Sequence, residues 1–222
     1  MIRPGMKRTS SVLASLTLLV SVTMLPFTAA LGAGIDPAGK YDQIKPPQPT
    51  DTPDKVEVVE VFSYACPHCF TFLPYMEKYE ESKPDYVAVR HMPAVFRPSW
   101  VPPARAFYTA QVLGIEKQMH RAIFEAIHVH KQPMDTREDV MKFFESRGVS
   151  KTDFDKAYDS FAVETLMRKS QVMQKRYGIR GTPSVVVNGK YRVSGTLAGP
   201  PEEVIQVTGA LAEREYAEMK AQ

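Results

Sequence analysis

The chain of 222 residues holds two cysteines, Cys66 and Cys69, with only Pro67 and His68 between them. They have no partner but each other. A bridge between them closes so small a loop that it removes little entropy from the unfolded chain, so it is a poor structural staple. Redox chemistry or metal binding remain. A structural zinc takes four ligands. Beyond Cys66, Cys69 and His68 there is no second ligand pair at metal spacing, and His120, His128 and His130 fall in a helical pattern where core or solvated roles are commoner. No metal and no cofactor is expected.

What flanks the pair gives it a place in a fold. Val56-Glu57-Val58-Val59-Glu60-Val61-Phe62 is rich in β-branched residues and nearly continuous in apolar character, as in a strand buried on both faces. Downstream, Phe70, Leu73, Met76 and Tyr79 recur near helical spacing among charged residues. Cys66 therefore falls between a strand end and a helix N-terminus. The unpaired N–H groups and the dipole at such a terminus favour an anion, so the Cys66 thiol is expected to be acidic. His68, when protonated, adds to that field. Cys69, deeper in the helix, is expected to be shielded. Cys66 is thus the attacking thiol and Cys69 the resolving one. Stabilising the Cys66 thiolate favours the dithiol over the disulfide and makes Cys66 a better leaving group, so the oxidised pair is a disulfide donor.

The N-terminal segment implies an oxidising compartment. Arg3, Lys7 and Arg8 precede an uncharged run from Thr9 to Ile35, apolar mainly over Val12–Leu25, broken at Pro26 and followed by small residues. This is the pattern of a secretory signal peptide over residues 1–32, with cleavage near Ala30 or Gly32. Disulfide chemistry persists in such a compartment, here the periplasm. The formal charge of +3 belongs to this leader: the other 25 basic residues balance 25 acidic ones. Nucleic-acid binding is excluded on that ground.

The remainder divides readily. Residues 33–54 form a proline-rich arm, with a short edge strand near Tyr41–Ile44. Residues 55–95 hold the strand, the Cys-Pro-His-Cys helix and a second strand over Tyr86–His91. Residues 96–177 open on a breaker-rich crossover and continue as helices over 104–113, 115–130, from Thr136, and over 152–177. Residues 178–222 contain Pro183, the strand Ser184–Val187, the tight-turn signal Asn188-Gly189, a second strand, and a helix opened by Pro200-Pro201.

At this point the sequence resembles the thioredoxin superfamily and, within it, the DsbA family of exported thiol:disulfide interchange proteins. The residues that carry the resemblance are Phe62-Ser63-Tyr64-Ala65-Cys66-Pro67-His68-Cys69, Gly178-Ile179-Arg180-Gly181-Thr182-Pro183 and Asn188-Gly189-Lys190-Tyr191. The resemblance implies an α/β, thioredoxin-like fold, a central mixed sheet flanked by helices, with an inserted all-helical subdomain over 96–177. It implies an oxidising couple, for which DsbA is a standing example. It implies that Pro183 is cis and faces the cysteines, and that Thr182 offers backbone groups to a substrate peptide. A threonine before this proline is similar to thioredoxins and disulfide isomerases. Glu60 interrupts the strand six residues before Cys66, and a buried acid there resembles the superfamily's proton acceptor. The implied partners are reduced, folding exported proteins and a membrane quinone-linked reoxidase of the DsbB type, with the protein acting as a monomer. An apolar groove for unfolded chains is expected beside Cys66, near Phe62, Tyr64 or Trp100. Two other readings stay open: a reductase or isomerase of the same compartment, and a peptide-binding chaperone module with a vestigial dithiol.

Overall fold

A computed structural model describes residues 1–2 and 36–221. The expected leader lies outside them apart from Met1 and Ile2. The strands are β1 (Asp42–Gln43), β2 (Val56–Phe62), β3 (Val87–Pro93), β4 (Ser184–Val187) and β5 (Tyr191–Ser194). They form one mixed sheet in the order β1-β5-β4-β2-β3. Only β2 and β3 run parallel, with Glu60 opposite His91. They are joined across one face by α1 (Pro67–Ser82), because a parallel pair needs a crossover rather than a hairpin. Every residue of β2 is buried, including Glu57 and Glu60, as its unbroken apolar pattern requires of a central strand.

Between β3 and β4 come α2 (Val101–Val112), α3 (Glu116–His128), α4 (Arg137–Ser146), α5 (Lys151–Tyr158) and α6 (Phe161–Arg176). After β5 a short turn, α7 (Gly195–Ala198), leads to α8 (Pro201–Lys220), which packs against α1 and the sheet. Two details depart from the sequence expectation. The first of the middle helices begins at Val101 rather than 104, because Pro102 and Pro103 fall in its first turn, where a missing N–H costs nothing. The stretch 152–177 is two helices, divided where Ser160 accepts a hydrogen bond from Val163 N and caps α6. At Thr136 the expected helix start is a capping box closed with Asp139. Among the described residues, no helix is long and apolar enough to cross a membrane.

The core has two main parts. One, under the sheet, joins Val56, Val58, Val185, Val187 and Val193 to Phe72, Met76, Val207 and Leu211. The other runs from Phe62, Tyr64, Cys69 and Leu73 into the middle helices through Phe107, Ile123, Phe124, Phe144 and Phe154. The segment around the cysteines is thus where sheet, α1 and the helical layer meet.

The β4–β5 turn also anchors the N-terminal arm. Asn188 and Gly189 both take positive φ, 49° and 63°, as a two-residue hairpin turn demands. The arm docks on this turn by Gln48 N–H to Gly189 O (2.9 Å) and Ile44 N–H to Lys190 O (2.7 Å). A Cβ on Gly189 would lie 2.1 Å from Gln48 O. Gly189→Ala therefore combines left-handed strain with a backbone clash and is expected to cost about 2–4 kcal/mol. Urea unfolding measures this directly, and a loss below about 1 kcal/mol would show that the arm does not hold the turn in this way.

Candidate active site

Cys66 is the N-cap of α1, in extended conformation (φ −93°, ψ 114°), and Pro67 opens the helix. Its carbonyl accepts the first helical hydrogen bonds, from Cys69 N at 3.1 Å and Phe70 N at 3.2 Å. Both cysteines are thiols here. Cys69 is fully enclosed, while Cys66 keeps 7% of its surface. The Cys66 thiol donates to Thr182 O at 3.4 Å, although 116 residues separate the two in sequence. The Thr182–Pro183 peptide is cis.

The two thiols are driven apart in acidity. The Cys69 S–H, hydrogen-bonded to the Cys66 sulfur, does most to lower the Cys66 pKa. Burial opposes it, and hydrogen bonds from the Thr182 side chain and the backbone N–H groups of Cys69 and His68 add to the lowering. The result is about 5. The Cys69 thiol is pushed far up, first by burial and then by its hydrogen bond to Cys66. At pH 7 Cys66 is thus about 99% thiolate, against about 3% for an ordinary cysteine. His68 is exposed, and its backbone N–H is hydrogen-bonded to the Cys66 sulfur.

A groove of about 690 Å³ runs beside the pair, lined by His68, Thr71, Phe72, Arg180, Thr182, Pro183, Leu197 and Val204 among others. It lies beside Cys66, but its lining does not include Phe62, Tyr64 or Trp100. Phe62 and Tyr64 are buried, stacked edge-on with each other and with Phe107, Phe124 and His120, so they form core rather than groove wall. Trp100 is only partly buried, packs on Phe96, and lies outside the groove.

Glu60 is 1% exposed and meets a partner that sequence reasoning missed: His91 Nδ1 lies 2.7 Å from Glu60 Oε2. The other His91 nitrogen lies 2.8 Å from Glu80 Oε1. Burial works against a charged His91 ring, but the two carboxylates outweigh it and raise its pKa to about 10. Nearby, Tyr64 Oη and His120 Nδ1 are 2.9 Å apart, and the other His120 nitrogen has no partner. Burial, then the charge of His91, holds the His120 pKa well below the usual histidine range, so the ring is neutral. The signal for His91 was available in principle: it is a polar interruption in the second strand, level with Glu60 once the strands pair in parallel.

Thus Cys66, Pro67, His68, Thr182 and Pro183 come together at one surface with Cys69 enclosed next to Cys66, and Glu60 lies buried in β2. A DSBA-like thioredoxin domain matches residues 57–200. The chain is 37% identical over 206 residues to the thiol:disulfide interchange protein DsbA of Pseudomonas aeruginosa strain PAO1, covering 92% of this chain and 97% of that one. It is 39% identical over 176 residues to the protein of that name from Azotobacter vinelandii, covering 79% and 82%. The crystal structure of Pseudomonas aeruginosa DsbA superposes with a TM-score of 0.78 at 37% identity, over 82% of this chain and 95% of that one. That of the oxidoreductase DsbA from Xylella fastidiosa gives 0.75 at 32%, over 80% and 96%. With an acidic, surface-reaching cysteine at a helix start, an enclosed partner thiol and a cis-proline against them, the chain belongs to the DsbA family of thioredoxin-like thiol:disulfide oxidoreductases.

Proposed function

We propose that this enzyme donates its Cys66–Cys69 disulfide to reduced proteins newly exported to the periplasm. A substrate thiolate attacks the Cys66 sulfur. The Cys66–Cys69 bond breaks, its electron pair passes to the Cys69 sulfur, and Cys69 takes up a proton. A second substrate thiolate then attacks the substrate sulfur of the mixed disulfide and expels Cys66 as a thiolate. The substrate loses two electrons and the enzyme gains them. The observation that carries this direction is the acidity of Cys66, about 5, beside a thiol whose pKa is raised: a stable thiolate is a good leaving group and favours the dithiol product.

The other residues take roles around this exchange. Thr182 and Pro183 present backbone to the substrate chain, supported by the contact of Thr182 O with the attacked sulfur. The groove takes apolar substrate segments on Phe72, Pro183, Leu197 and Val204. Pro67 fixes the helix start, and His68 supplies an N–H to the thiolate. Glu60, enclosed and bonded to His91, is the proton acceptor for Cys69 when the pair is reoxidised. That reoxidation falls to a membrane quinone-linked partner of the DsbB type, with the enzyme a monomer.

The test is the dithiol–disulfide equilibrium of the mature protein in glutathione buffers, read by thiol alkylation. The pair is expected to stay reduced until the buffer is far more oxidising than the about −270 mV of thioredoxin. A potential near that of thioredoxin would sink the donor reading and leave a reductase.

A further inference from the structure

Behind the dithiol, sheet and helical layer meet at a second set of ligating side chains. Glu60 on β2 and His91 on β3 face each other across the parallel pair, and His120 arrives from α3. One donor atom from each lies within 4.8 Å of the others. The His91 and His120 rings are 4.6 Å apart, centre to centre. We propose that Glu60, His91 and His120 form a binding site for one divalent cation of the zinc class, with water as the fourth ligand.

Four observations support this. The donor set, two imidazoles and a carboxylate, is that of three-ligand zinc sites with an open fourth position. The outer contacts are those that orient such ligands. His91 has Glu80 on its Nε2, leaving Nδ1 for the ion, and His120 has Tyr64 on its Nδ1, leaving Nε2. Metal-bound histidines nearly always donate their second N–H to a carboxylate or similar acceptor in this way. The His120 Nε2 is buried with no partner, on a residue only 7% exposed, which costs free energy unless something meets it. There is also an entrance: His91 and Glu80 line a crevice of about 420 Å³ between β3 and the middle helices.

The geometry needs a modest closure. Ligand atoms around a tetrahedral zinc lie about 3.3 Å apart. His91 Nδ1 and Glu60 Oε2, at 2.7 Å, are closer than that and would part by about 0.6 Å as the ion replaces the proton between them. The widest separation among the three donor atoms, up to 4.8 Å, must close by about 1.5 Å. Glu60 is shared with the redox reading as the proton acceptor for Cys69, but the test reads zinc uptake by the oxidised protein, so its failure and that of the redox reading are distinguishable.

The experiment is titration of the oxidised protein with Zn²⁺ alone, against a chromophoric chelator, with the disulfide removing both thiols as ligands. One equivalent is expected to bind. His120→Asn should abolish that binding while leaving the surface His68 and His130 in place. Glu80→Gln, at a half-exposed position, should weaken it about 10–100-fold, as loss of an outer-shell acceptor does. Co²⁺ in place of zinc should show the intense visible bands of four-coordinate cobalt, with no thiolate charge-transfer band. The proposal is overturned if the oxidised protein takes up no zinc, or if a folded His120→Asn variant binds it equally well. Should His120→Asn fail to fold, unchanged affinity in Glu80→Gln or a weak six-coordinate cobalt spectrum overturns it.

Discussion

Cys66→Ser is expected to reduce disulfide transfer to the uncatalysed background, whereas Cys69→Ser, given a disulfide-bonded substrate, is expected to stop halfway, accumulating enzyme joined to substrate. The asymmetry follows from the site. Cys66 alone combines surface with a pKa near 5, so it alone exists as a nucleophile and a leaving group at neutral pH. Cys69 is enclosed and held as a thiol, so it cannot replace Cys66. With Cys69 gone, the Cys66 thiolate can still attack a substrate disulfide and expel one of its sulfurs as a thiolate, but the enzyme has no second thiol to resolve the mixed disulfide that results. Turnover of a dithiol peptide in the presence of glutathione disulfide measures the first effect, and intact mass under non-reducing conditions the second. Retained function in Cys66→Ser would move the chain to the chaperone reading. The same asymmetry should show as alkylation at pH 6, rapid at Cys66 and undetectable at Cys69 in the folded protein.

The parts of this site that could be read from the sequence are those written in consecutive residues. The β-branched run into Phe62, the helical spacing after Phe70 and the two cysteines at their junction are local patterns, and the structure repeats them as β2, α1 and an N-cap. Asn188-Gly189 is likewise a turn because two successive residues must take positive φ. The approach of Thr182 to Cys66 is not local; it came from resemblance to a family, since no periodicity links residues 116 positions apart. The walls of the groove could not be read for a related reason. Aromatics beside a cysteine suit a groove as well as a core, and only the packing of α2 and α3 over Phe62 and Tyr64 decides between them.

Buried charge was legible only by half. Glu60 stands out as an interruption of an apolar strand, yet Glu57, fully buried as well, looks the same in sequence. What tells the two apart is the neighbouring strand. Arg90 Nε holds Glu57 at 2.9 Å, a fixed ion pair that Asp51 extends, while His91 links Glu60 onward to Glu80 and lies 4.6 Å from His120. One acid is locked to a permanent cation. The other has a partner that can exchange a proton or an ion, and that difference is set by the β2–β3 register together with Glu80 of α1 and His120 of α3.

The stability order of the two redox forms should reverse between about pH 6 and 7. In the reduced protein the folded pKa of Cys66, about 5, lies below the about 8.5 of an unfolded cysteine. A depressed pKa stabilises the fold fully above about 8.5, and that stabilisation is lost as the pH falls through 5. It comes to about 4 kcal/mol at pH 8, about 3 at pH 7 and less than about 0.5 at pH 5. With 7% of its surface exposed, Cys66 is little screened by solvent. Below pH 8 Cys69 is neutral in both states and drops out. The oxidised protein lacks this contribution but gains from its cross-link, which for a loop as short as Cys66–Cys69 is worth about 2 kcal/mol. At pH 7 and above the thiolate wins and the reduced form is the more stable, so breaking the disulfide releases free energy and drives donation. At pH 5 the cross-link wins. Urea unfolding of both forms at pH 5, 6, 7 and 8 measures the crossing. An oxidised form that remains the more stable at pH 8 would mean that folding does not hold the Cys66 thiolate, and the driving force for donation would have to be sought elsewhere.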